Sequence, residues 1–169
     1  SVAEWRADLD TLAARIHRQV PYAEAATGGA LFHRRLDSLK QAIPQQTRAQ
    51  RILSVMRLLN LPAAGTGHIL MDPFQRAVGW RAFPVKLYRF ADGVRVMSAA
   101  DSSLIGSEVL SIGGTPIDSV YSALAPYVMG DNRWSSETHV AEELLVWANP
   151  LKAVGVVDGM PICHPVHGA

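Results

Sequence analysis

The feature that most constrains this chain is a change of rhythm near Gly65. Before it, apolar residues recur every three or four positions. After it, they gather in short runs separated by two-residue turn signals. A period near 3.6 puts side chains on one face of a helix, whereas short runs broken by Asp-Gly or Gly-Gly mark paired strands. A block of helical stripes followed by a block of hairpin signals predicts an α+β protein with its helices first.

The first block carries three stripes. Ser1 and Glu4 have the spacing of a capping box, and Trp5, Leu9, Leu12, Ile16 and Val20 follow at helical intervals up to Pro21. Thr27-Gly28-Gly29 reads as a linker. Phe32, Leu36, Leu39 and Ile43 form the second stripe, stopped by Pro44. Ile52, Val55, Met56 and Leu59 form the third, closed by Pro62. Three amphipathic helices with short joints predict a small antiparallel bundle over residues 1–64. Arg34, Arg35, Arg48 and Arg51 are read as its solvated outer faces.

The second block is mixed. Val85–Phe90 and Val94–Ala99 read as strands around the turn Asp92-Gly93. Glu108–Ile112 and Thr115–Ile117 flank Gly113-Gly114, a second hairpin. Asp118 is the expected cap of a short helix carrying Val120 and Leu124. Ser135 or Ser136 is the expected cap of a longer one carrying Val140, Ala141, Leu144, Leu145 and Ala148, stopped at Asn149-Pro150. Ala153–Val157 and Met160–Cys163 around Asp158-Gly159 predict a last hairpin.

Composition narrows the function. With 49 % hydrophobic and 18 % charged residues in 169, the chain has the material for a packed core without disulfide or metal. The charge is +4 over residues 1–64 and −3 over 65–169, and the net +1 argues against an electrostatic nucleic-acid binder. No apolar run approaches the roughly 20 residues of a membrane span. Ser1 stands without a basic-then-apolar leader, and the chain stops just after a strand-like run. We therefore read it as part of a larger protein.

Most strong catalytic motifs are absent: no Gly-x-Ser-x-Gly elbow, phosphate loop, His-Glu-x-x-His or dinucleotide fingerprint occurs. Glu142 and Glu143 are helix neighbours that do not face one another. Cys163, His164 and His167 are the densest set of potential metal ligands, but a fourth ligand is missing, so no metal or cofactor is expected. His17, His33 and His139 fall on predicted helices and are read as structural. His68 differs. It follows Gly65-Thr66-Gly67, a flexible turn able to present an imidazole to a cleft, and its ordinary pKa suits a general base.

The order of these segments carries a resemblance. A helical part runs into Gly67-His68, then into Phe83-Pro84-Val85-Lys86-Leu87-Tyr88-Arg89-Phe90-Ala91-Asp92-Gly93, then into Ile105-Gly106-Ser107-Glu108-Val109-Leu110-Ser111-Ile112-Gly113-Gly114-Thr115-Pro116-Ile117. This resembles the N-terminal portion of the C-terminal-processing (tail-specific) serine peptidases of the tricorn-core-like type. There a helical domain precedes a PDZ-like domain and the peptidase core follows. Gly130-Asp131-Asn132-Arg133 and Leu144–Val157 resemble later segments of the same family, so the likeness spans residues 1–160. Ile69 stands where the family often has a hydroxyl residue after the His.

The resemblance implies a three-helix N-terminal domain (1–64), a junction carrying His68 (65–77), a PDZ-like β-rich domain with short helices (78–163) and a cut or frayed end (164–169). It implies that His68 is the general base for a Ser on a catalytic core outside this chain, so that these residues alone hydrolyse nothing. The implied partners are a polypeptide substrate and that core, in an extracytoplasmic setting, periplasmic or secreted. Pro84 has no N–H to offer a peptide carboxylate, which favours a structural or gating role for the PDZ-like part. The alternatives are a PDZ-like peptide-binding adaptor and an inactive homologue that binds apolar ligands.

Overall fold

The first helix begins as its first residues dictate. The Ser1 hydroxyl accepts the Glu4 amide at 3.2 Å, and the Glu4 carboxylate takes the terminal amine. Helix α1 (Val2–Gln19) follows. Helix α2 (Ala30–Ala42) ends in a 3-10 turn at Ile43–Gln45 that opens on Pro44. Helix α3 (Arg48–Ala63) starts on a second capping box: Thr47 Oγ1 accepts the Gln50 amide at 3.3 Å, while Gln50 Oε1 accepts the Thr47 amide at 2.9 Å. The computed structural model describes residues 1–19, 30–63, 79–128, 132–156 and 161–164. The chain divides into two compact units, Ser1–Met71 and Asp72–Ala169.

In the first unit one apolar cluster draws on all three helices. It joins Leu9 and Ile16 of α1, Phe32, Leu36 and Leu39 of α2, Ile43, and Val55, Leu58 and Leu59 of α3. Arg51 is not a solvated side chain: its Nε donates to the Ile43 carbonyl at 3.0 Å and its guanidinium lies 5.9 Å from the Trp5 ring. The cation caps the end of the α2 segment while its stem covers apolar surface. Arg34, Arg35 and Arg48 are exposed.

In the second unit, strands β1 (Val85–Phe90) and β2 (Gly93–Ala99) pair antiparallel across the turn Ala91-Asp92, with a bulge between Lys86 and Leu87. Strands β3 (Glu108–Ile112) and β4 (Thr115–Pro116) are joined by Gly113-Gly114. Both glycines have positive φ, +55° and +74°, as a two-residue hairpin turn that follows the strand twist requires. Glu108 is opposite Arg95 of β2 and opposite His164 of β5 (Pro161–His164), so β2 and β5 flank β3 on its two edges. No other described strand pairs with β1, which is an edge of the sheet. The molecule is therefore α+β, with an open antiparallel sheet.

Helix α4 (Ile117–Leu124) packs Val120, Tyr121 and Leu124 inward. Asp118 does not cap it; the preceding residue is Pro116, and Asp118 instead pairs with Arg89 of β1. Helix α5 (Arg133–His139) is capped by Asn132, whose side chain accepts the Ser135 amide at 2.9 Å. Ser135 and Ser136 lie inside the helix. Asn132 takes the position because its oxygen reaches two to three residues ahead, where the first unpaired amides lie.

The helix then widens through one π turn, Val140–Leu144, in which Leu145 N donates to Val140 O five residues back. Val140, Ala141, Leu144 and Leu145 are completely buried. The segment ends before Asn149-Pro150, and these two residues open a new helix, α6 (Ala148–Ala153). Pro150 is its third residue, where a missing N–H costs nothing. Among the described residues the expected strand at 153–157 does not form, since Ala153 closes α6 and residues 154–156 carry no strand. The Pro161–His164 segment finds its partner in β3 instead.

Candidate functional site

His68, and with it the junction 65–77, lies outside the described residues, as does His167. Strand β5 sets Cys163 opposite Val109 and His164 opposite Glu108. Among the described residues no group of three His, Cys, Asp or Glu side chains is gathered for a metal.

The two ends of β1 have different chemistry. At its start, three successive backbone positions offer no hydrogen to an incoming acceptor. Phe83 N donates to Val146 O at 2.7 Å, Pro84 has no N–H, and Val85 N donates to Phe83 O at 2.8 Å. The Pro84 carbonyl accepts Ala100 N at 3.2 Å. Around Ala82 the chain also pairs with Trp147, where Ala148 N meets Arg81 O at 2.9 Å and Arg81 N meets Asn149 Oδ1 at 2.9 Å. A carboxylate held by successive amides has no seat at this end of the strand.

The far end of β1 is polar and open. Arg89 Nη1 reaches Asp118 Oδ1 at 3.3 Å, and the guanidinium stands 5.2 Å over the Tyr121 ring. Next to it lies a cleft of about 350 Å³ lined by Arg89, Phe90, Ala91, Arg133, Trp134 and Glu137. Arg133 Nε donates to Glu137 Oε1 at 2.6 Å, an i,i+4 pair along α5. A second cleft, about 230 Å³, shares Arg133 and Glu137 and continues to Tyr121, Ser122, Ala125, Ser136 and Val140. The Arg133–Glu137 pair stands between the two.

Electrostatics set the walls apart. Burial pushes the Tyr121 phenol well above its ordinary value, although the Arg89 charge pulls the other way, so the ring is a neutral wall at physiological pH. Its hydroxyl is buried without a partner at hydrogen-bonding geometry. Glu137 beside Arg133 holds that guanidinium in its charged form. Half of the Trp134 surface is exposed, at 52 %, on the same cleft.

No protein-family model matches the chain, and neither does any curated protein or solved structure. The cleft therefore has to be read from its own chemistry. Sequence reasoning missed it because its residues come from two distant places in the chain, 89–91 and 133–137. Only the Arg133–Glu137 spacing is visible locally. The Arg89–Asp118 contact spans 29 residues and exists only once β1 and α4 are packed.

Proposed function

We propose that this chain is the non-catalytic N-terminal part of a serine endopeptidase that cleaves polypeptides, of the C-terminal-processing class, with the nucleophilic Ser on a part of the protein beyond these residues. The observation that carries the reading is the order of elements in the second unit. An edge-strand hairpin, a second hairpin on a Gly-Gly turn and a short helix beside the edge strand follow one another at the positions that resemble the family's PDZ-like domain. The three helices that share one core stand where its helical domain would be. The committed backbone at residues 83–85 supports a gating or structural use of the PDZ-like unit over capture of peptide ends.

In this reading His68 takes the proton from the core's Ser, because a neutral hydroxyl is a weak nucleophile without an adjacent base. The partners are a polypeptide substrate and the catalytic core, and the setting is extracytoplasmic. Among the described residues no helix is long and apolar enough to cross a membrane. The test compares the full-length protein with its His68→Ala variant on an unstructured protein substrate. The expected loss is about 100- to 10,000-fold in kcat/KM. Activity surviving within a few-fold would remove His68 from the mechanism, and a full-length protein with no hydrolysis would move the reading to the adaptor or the inactive homologue.

A further inference from the structure

The cleft at the far end of β1 combines features that the folding of the unit does not use. Trp134 exposes half of its surface there, and large aromatics on an open wall forgo the burial that would otherwise stabilise the fold. Two guanidiniums, Arg89 and Arg133, border the same space against one lining carboxylate, Glu137. Glu137 engages Arg133 through Nε, and among the described residues no acceptor lies within hydrogen-bonding reach of the two Nη groups of Arg133. Arg presents its donors as a planar fork, and two Nη groups can grip a carboxylate side by side. The Arg133 side chain is 91 % exposed, so it can turn toward a ligand without unpacking anything. The existing ion pairs lie at the surface, where water and salt screen them, so an incoming acid displaces them at little cost.

We propose that this cleft binds an acidic polypeptide segment in which a carboxylate neighbours an aromatic residue. The carboxylate lies on the Arg133 fork and the aromatic ring packs on Trp134 and Phe90. Arg next to a half-exposed Trp is the composition of binding hot spots, and the 350 Å³ volume holds one such side-chain pair. The site deepens the reading above, resting on it only for the choice of a polypeptide as the ligand. It does not depend on His68 or on hydrolysis.

The experiment uses the 169-residue chain and three short peptides, titrated while the Trp134 indole signal is followed by NMR. The signal is assigned by its loss in Trp134→Phe. The probes are acetyl-Gly-Phe-Glu-Gly-amide, its Gln counterpart, and acetyl-Gly-Gln-Gly-Phe with a free carboxyl end. The Glu peptide is expected to shift the indole saturably and to bind about tenfold tighter than the Gln peptide. Arg133→Gln, a change at an exposed position that leaves the core untouched, is expected to erase that difference. Binding of the free-ended peptide as tight as that of the Glu peptide would still support the carboxylate site and assign it to chain ends. Equal binding of the Glu and Gln peptides would overturn the proposal. So would an indole unmoved up to about 5 mM peptide, or a preference that survives in Arg133→Gln. Because the readout is binding, its failure leaves the peptidase reading untouched, and loss of hydrolysis in the full-length protein leaves this one untouched.

Discussion

Some charges in the second unit pair within one turn of chain, as Arg95 does with Asp92. Arg95 Nη2 donates to Asp92 Oδ2 at 2.6 Å, and Nη1 reaches the Gly106 carbonyl at 3.4 Å. The guanidinium holds the Asp92 carboxyl below its ordinary range. A carboxyl whose folded pKa is depressed contributes stability in full above its unfolded value, about 3.9, and loses it as the pH falls through the folded value. A carbon-detected NMR titration should place the Asp92 midpoint below that of a free Asp, and Arg95→Gln should return it upward. An unchanged midpoint in the variant would separate the two groups. The sign for Tyr121 is opposite. Its raised phenol favours the folded state below pH about 10, and that contribution fades as the pH climbs toward the folded value.

At the scale of elements, the segment from Asn132 to Leu145 is held at one end by a cap and at the other by burial. Asn132→Ala removes one oxygen acceptor at an exposed helix start and should cost about 1 kcal/mol in urea unfolding. Leu144→Ala opens a void at a completely buried position and should cost about 2–5 kcal/mol. Equal costs would mean that the cap positions the whole segment. The cap was open to misreading because Asn132, Ser135 and Ser136 all suit the task; which one takes it depends on where the backbone first turns helical. Local signals served better where one answer dominates. The stripe Phe32, Leu36, Leu39 is buried as its spacing demands, and Gly113-Gly114 makes the tight hairpin turn. They failed at Asn149-Pro150, since Pro ends a helix from inside but fits the first turn of the next, and only the neighbouring fold chooses between the two. The Arg89–Asp118–Tyr121 contact was beyond any local reading, being a product of packing between β1 and α4.

For the whole molecule, the edge strand β1 decides which ligands the second unit can take. A peptide whose only anchor is its free carboxyl end, with no acidic or aromatic side chain, meets no amide to hold it at residues 83–85. Calorimetric titration with such a peptide should find a Kd of about 1 mM or weaker. Low-micromolar, carboxylate-dependent affinity would contradict the hydrogen bonding described at Phe83 and Val85 and would favour a peptide-recruiting adaptor.

The stitch between Arg81–Phe83 and Val146–Asn149 has a mechanical consequence. Three hydrogen bonds tie the approach to β1 directly to a stretch more than 60 residues later. Tension on the chain ahead of Arg81 passes into Trp147 and its neighbours before it reaches β1, so the sheet is shielded from load. In an optical trap the first rupture from this end should therefore release only the approach segment, and Asn149→Ala should lower the force at which it gives way. The stitch would then act as a fuse that yields before the sheet does.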